Sequence, residues 1–175
     1  MIYSGKFKVT SPFGKRLLNG AYEQHNGIDV VGLEGKYVCA VVGGEVVSST
    51  MVTDKSNRTW EWGNYVCILG SDGRRYYYCH LSSRAVGVGK KVKAGDHIGI
   101  EGNTGYSFGS HCHFEVRENG VSVNPAPFLG IENKPGTYGR DYRGEVKKLF
   151  GLSEDTMKYL DKYKYAADLY RKLVK

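Results

Sequence analysis

The 175 residues suffice for one medium domain plus a small appendage, and the 41% hydrophobic and 25% charged content is that of an ordinary globular protein. No apolar run reaches membrane-spanning length, which excludes a spanning helix within these residues. The net charge of +7 fits either solubility alone or attraction to a polyanion such as an anionic cell wall. No Lys/Arg cluster interleaved with aromatics marks a nucleic-acid motif, so nucleic acid is not an expected partner.

Met1 to Lys6 lack the apolar stretch of a signal peptide, so synthesis in the cytoplasm without one is expected. From residue 7 to about 128 the texture is β, with Val/Tyr/Ile/Thr runs between glycines. Val38 to Ser49 reads as a buried strand, a Gly43-Gly44 turn and a second strand. Tyr65 to Leu69 and Tyr76 to Leu81 flank Ser71-Asp72-Gly73, a hairpin signal. Lys90 to Val92 and Ile98 to Ile100 bracket a turn at Ala94-Gly95-Asp96, and His97 beside it reads as a surface residue. Cys39, Cys67, Cys79 and Cys112 sit inside apparent strands without a Cys-x-x-Cys spacing, and read as buried reduced thiols.

Three units follow: 1–130 as the β domain, 131–140 as a linker, and 141–175 as a basic helical tail. Asp141 to Phe150 is a short helix candidate stopped by Gly151. Ser153 is an expected N-cap with Glu154 and Asp155 in the first turn. Met157, Leu160, Leu169 and Leu173 fall broadly on one helical face.

The chemistry concentrates in the histidines. Alternate residues of a strand share a face, so His111 and His113 project together, roughly 6.6 Å apart at their backbones, and Cys112 points the other way. His25 and Asp29 are too far apart for one ion if the chain is extended, at roughly 13 Å. A bend at Asn26-Gly27 folds them toward a common point. Two imidazoles and a carboxylate suit Zn²⁺ better than Mg²⁺ or Ca²⁺, and a catalytic zinc keeps a fourth position open for water. Which of His111 and His113 is the ligand stays open on this reasoning. His80, after Tyr76-Tyr77-Tyr78-Cys79, is either a satisfied core histidine or part of a cleft wall.

These residues fall into an ordered set of motifs. Ser11-Pro12-Phe13-Gly14-Lys15-Arg16, His25-Asn26-Gly27-Ile28-Asp29, Trp62-Gly63-Asn64-Tyr65-Val66 and Tyr78-Cys79-His80-Leu81 come first. Gly102-Asn103-Thr104-Gly105 with Ser107, Gly109 and His111 to Val116 follows, and Asn124-Pro125 closes the set. Over roughly residues 8 to 129 the chain resembles the lysostaphin/LytM-type zinc metallopeptidases, which hydrolyse peptide bonds in bacterial peptidoglycan. The resemblance implies a mainly β, antiparallel LytM-type peptidase domain. It implies His25, Asp29 and His113 as zinc ligands and His80 and His111 as unligated catalytic histidines. His111 would act as general base, and His80 would stabilise the oxyanion or orient the water.

Asn19, Tyr78 and Tyr106 are expected substrate-groove residues. Cys112 and the long segment Met51 to Trp60, an expected hairpin loop, depart from the family pattern. Peptidoglycan is the expected partner, and a monomer the expected state. A phage or prophage lysin, released through a holin or carried on a particle, is the expected context. The tail, with ten Lys/Arg against six Asp/Glu over residues 138–175, would target the wall, make an assembly contact or pack on the β domain. The rival reading is a non-catalytic regulator or wall-binding module of the same fold. Its members lose metal ligands, whereas all five candidate residues are present here.

Overall fold

Alternating apolar residues build the central sheet. In β1 (Phe7–Ser11) Phe7 and Val9 are buried, and in β4 (Ile28–Gly32) Ile28 and Val30 are buried, while the residues between them are more exposed. The structure is a computed structural model. It describes every residue except Asn19, Lys164 and Lys175, with the backbone alone at Arg58 and Ala167. The other strands are β2 (Gly14–Leu18), β3 (Ala21–His25), β5 (Tyr37–Cys39), β6 (Gly44–Met51), β7 (Asn64–Gly70), β8 (Arg75–Leu81) and β9 (Ser83–Arg84). They continue with β10 (Lys91–Val92), β11 (His97–Ile100), β12 (Cys112–Glu118), β13 (Val121–Val123) and β14 (Gly136–Tyr138).

The large antiparallel sheet runs β10-β6-β7-β8-β12-β4-β1-β14, with β13 paired to β12. β5, β11 and β9 form a small sheet, and β2 and β3 a separate hairpin. One apolar core joins the large and small sheets, with Phe7, Ile28, Ile68, Tyr76, Tyr78 and Phe114 among its largest side chains. The mainly β, antiparallel fold agrees with the expectation. So does the β7–β8 hairpin around Asp72, which accepts from the Arg74 N–H at 3.1 Å. All four cysteines are free and buried, and His97 is exposed.

Some strand partners differ from what neighbouring runs suggest. Across Gly43-Gly44 the chain passes from the small sheet (β5) to the large one (β6), and across Ala94-Gly95-Asp96 it passes back from β10 to β11. The segment 131–140 is not a bare linker. Its Gly136–Tyr138 pairs with Phe7–Val9 at the sheet edge, and Asn133 both accepts from and donates to the Phe13 backbone, at 2.9 and 3.0 Å. A chain ended after Leu129 should therefore be about 2–4 kcal/mol less stable than one ended after Gly139, since it loses strand bonds and Tyr138 packing. Thermal melts of the two check this; equal stabilities would mean that the edge strand contributes nothing.

The tail forms helices α2 (Tyr142–Phe150), α3 (Glu154–Asp161) and α4 (Ala166–Leu173), after the short α1 (Ala126–Leu129). Asp141 caps α2 through the Gly144 N–H, Gly151 ends it in the left-handed conformation, and Ser153 caps α3. The break between α3 and α4 resets the helical phase. Tyr170 and Ala166, rather than Leu169 and Leu173, therefore join Val146 and Met157 in a second small core. Among the described residues no helix is long and apolar enough to cross a membrane.

Candidate active site

Three adjacent strands of the large sheet carry the site. Asp29 on β4 lies directly across from His113 on β12, and His113 in turn faces Cys79 on β8. His25 ends β3, and the bend at Asn26-Gly27 returns the chain so that His25 Nε2 lies 3.2 Å from Asp29 Oδ1. Gly27 is required there. A Cβ on it would sit 2.5 Å from the Phe114 carbonyl oxygen and 2.7 Å from the His113 ring.

His25 Nε2 and His113 Nδ1 are 3.1 Å apart, and His113 Nδ1 is 3.0 Å from Asp29 Oδ1. Two imidazole nitrogens facing each other beside a carboxylate need a proton or a cation between them. These three residues form the group of His, Cys and carboxylate donors able to hold a metal ion among the described residues. The remaining ring atoms are anchored. His25 Nδ1 donates to the Pro12 carbonyl at 2.8 Å, and His113 Nε2 faces Glu115 Oε2 at 3.7 Å. Arg16 donates to Asp29 Oδ2 at 3.1 Å and to Ser11 Oγ at 2.7 Å.

His111 stands beside this triad, with Nε2 3.5 Å from Asp29 Oδ1 and Nδ1 donating to the Gly109 carbonyl at 2.8 Å. His80 lies beside it, its ring tilted by 54° with 4.7 Å between ring centroids, and donates from Nδ1 to the Thr104 carbonyl at 2.8 Å. His80 has φ +63°, a left-handed conformation that is costly for a non-glycine residue. It lies in a β-bulge between β7 and β8, where the register shifts between Asn64 and Val66. The bulge breaks the alternation of β8 and brings His80 to the cleft.

Burial alone would raise the Asp29 carboxyl, but hydrogen bonds from His113 and His25 outweigh it and hold its pKa far below the usual carboxylate range. Burial alone would lower His113, but Asp29 and Glu115 lift it to about 9. Burial, with His113 and His111 adjacent, pushes His80 down to about 4. Glu115 is buried but held below its ordinary pKa by His113, Arg117 and Ser122. A carboxylate behind a metal-binding imidazole fixes its orientation and raises its basicity. Glu115→Gln should therefore weaken metal affinity roughly 10–100-fold, read by competition with a chromogenic chelator. An unchanged affinity would remove Glu115 from this role.

The site opens into a cleft of about 430 Å³ whose walls include Trp62, Tyr106 and Phe108. Tyr106, one of the expected groove residues, lines this cleft. Tyr78 is not: it is wholly buried in the core, where its hydroxyl accepts from the Val41 N–H at 2.8 Å. The bulge explains the correction, because a regular strand would put Tyr78 and His80 on one face. Asn19 lies outside the described residues. The segment after Met51 is the β6–β7 connection and ends in a 3₁₀ turn, Arg58–Trp62, that forms one cleft wall. The supporting roles of Pro12, Thr104, Gly109 and Glu115 escape sequence reasoning, since three act through backbone carbonyls that carry no side-chain signal.

The sequence matches the model of Peptidase family M23 over residues 23–125. It is 37% identical over 120 residues to the DD-carboxypeptidase/endopeptidase Mpg of Neisseria meningitidis serogroup B, covering 67% of this chain and 26% of that protein. The chain thus spans about a quarter of the length of the curated relatives it matches first. The catalytic domain of lysostaphin from Staphylococcus simulans is similar in structure, with TM-score 0.57, 33% identity, and 70% of this chain and 91% of that chain covered. So is the catalytic domain of the prophage-encoded M23 protein EnpA from Enterococcus faecalis, with TM-score 0.58, 34% identity, and 68% and 88% covered. The matched residues make up more than half of the chain and include His25, Asp29, His80, His111 and His113, so the chain belongs to peptidase family M23.

Proposed function

We propose that this domain is a zinc-dependent endopeptidase acting on peptide bonds of bacterial peptidoglycan. The observation that carries the reading is the donor triad open to a cleft with two further imidazoles beside it. Donor atoms about 2.0–2.2 Å from a tetrahedral zinc lie roughly 3.3–3.6 Å apart. The three edges here, 3.0, 3.1 and 3.2 Å, are close to that, and the nitrogen-rich donor set suits zinc. His25, Asp29 and His113 would hold the zinc, which when bound would polarise the scissile carbonyl and lower the pKa of a water at the site.

The flanking histidines supply the proton chemistry. Each has Nδ1 against a carbonyl oxygen, so in the neutral ring Nδ1 carries the hydrogen and Nε2 offers a lone pair to the cleft. His111 takes the proton of the attacking water at Nε2 and returns it to the leaving amine. His80 accepts a hydrogen bond from the same water and orients it. An oxyanion contact at His80 would need a second proton on a ring whose pKa is near 4, so the orienting role is the better supported. Action at the cell wall after cytoplasmic synthesis, as a phage- or prophage-type lysin released by a holin or carried on a particle, belongs to the same proposal. Likeness to a prophage-encoded catalytic domain supports that part.

The test is mass spectrometry of fragments released from several purified peptidoglycans, with and without a zinc chelator. Chelator-sensitive appearance of new amine ends is expected, and their identity names the bond. No release from any wall by zinc-loaded protein would overturn the reading.

A further inference from the structure

The charged groups lining the cleft are almost all accounted for by one another. Arg16 pairs with Glu23 at 2.6 Å and with Asp29 at 3.1 Å. Glu115 is engaged by Arg117 at 2.6 Å, and by Ser122 and His113. Arg117 also lies over the Trp62 and Tyr77 rings, 5.2 Å from each centroid. Glu61 is the exception. It is exposed, it lines the same cleft, and its carboxylate has neither a cation nor a hydrogen-bond donor among the described residues.

Glu61 is also held in place. It sits in the 3₁₀ turn Arg58–Trp62, and its carbonyl accepts from the Tyr106 N–H at 2.8 Å, which fastens this wall to the loop before His111. Trp60 packs edge-on against Tyr106, at 5.9 Å between ring centroids. An unpaired carboxylate on a braced wall, among aromatic rings, selects for a cation on whatever enters.

We propose that Glu61 is a specificity-determining residue that recognises a primary ammonium on the substrate peptide, close to the scissile bond. This rests on the peptidase reading above and narrows its substrate class to peptides with a free amine there. The amine is either a diamino-acid side chain or a peptide N-terminus. Because Glu61 is exposed, the contact is worth a modest factor and weakens as salt rises.

The test uses a short synthetic wall peptide with one lysine side-chain amine and one free N-terminus, plus its two singly acetylated forms. Binding to chelator-treated protein is read from the fluorescence of Trp60 and Trp62, its two tryptophans. KM and kcat are measured in parallel on the metal-loaded protein. Acetylating one of the two amines should weaken binding to the wild type by roughly two- to fivefold, mostly in KM, and which acetylation matters identifies the amine. Glu61→Gln should bind all three peptides alike. Discrimination by Glu61→Gln equal to that of the wild type, equal affinity of the wild type for all three, or no affinity for any would overturn the proposal. Discrimination in binding without hydrolysis would instead uphold the role of Glu61 and count against the peptidase reading.

Discussion

Replacing His111 with alanine is expected to lower turnover by about 10²–10⁴-fold while leaving the metal in place. The magnitude is that of removing one positioned general base. The separation of effects comes from geometry. His111 Nε2 is 3.5 Å from Asp29 Oδ1, outside the 3.0–3.2 Å triad of His25, Asp29 and His113. The ring is oriented by its own contacts, with Nδ1 at 2.8 Å from the Gly109 carbonyl oxygen and 3.3 Å from Ser107 Oγ, so its loss removes only the longer contact to Asp29 and leaves the three short edges of the triad. The measurement pairs kcat on released wall fragments with metal content per chain. Near-normal turnover would remove His111 as the base. Loss of metal would mean that His111, and not only its neighbours, is a ligand. His113→Ala is the contrasting variant and should lose metal and activity together.

The assignment of His111 and His113 illustrates how far the sequence carries the argument. Strand alternation puts both imidazoles on one face and Cys112 in the core, and the structure agrees, with Cys112 wholly buried. Alternation cannot say which imidazole is the ligand, because that depends on register with Asp29 across a strand pair 84 residues apart in the chain. The bend at Asn26-Gly27 is legible because turn residues act locally. The bulge at His80 is not: one extra residue inverts the facing of everything before it, which sends Tyr78 to the core. The same limit hides β14. Gly136–Tyr138 is too short to show alternation and sits amid Asn, Lys, Pro and Gly, so only its pairing with Phe7–Val9 reveals a strand. In the tail, caps at Asp141, Gly151 and Ser153 are readable one by one, whereas the break after Asp161 depends on how the helices pack.

Glu101→Ala should destabilise the folded domain by roughly 2–5 kcal/mol, lowering its melting temperature by about 5–15 °C. Glu101 has a fully buried carboxylate, and four donors converge on it. Tyr3 Oη and the Gly32 N–H reach Oε2 at 2.7 and 2.8 Å, and Lys36 Nζ and Ser110 Oγ each reach Oε1 at 2.7 Å. Lys36 is half-exposed and can return to water when the carboxylate is gone. The Gly32 N–H loses its acceptor inside the protein, and Tyr3, almost wholly buried, keeps only a longer bond to the Val30 carbonyl at 3.2 Å. The orphaned donors set the cost, at about 1–3 kcal/mol for each buried group left unsatisfied. Glu101→Gln, which retains one acceptor oxygen, should lose less. Burial by itself would raise the Glu101 pKa, but Lys36, Gly32, Tyr3 and Ser110 together hold it below the ordinary value. A depressed folded-state pKa means that the unfolded chain binds this proton more tightly. The stabilisation is therefore complete above the unfolded glutamate pKa of about 4.3 and is lost as pH falls through the lower folded value. The gap in melting temperature between wild type and Glu101→Gln should be widest near neutral pH and narrow below about pH 4. A gap that stays constant from pH 7 to pH 3 would show that packing, and not the ionised carboxylate, accounts for the difference. Because Ser110 immediately precedes His111, the same variants also report whether this buried carboxylate helps to hold the His111 imidazole: a fall in kcat larger than the loss of folded protein would place it there.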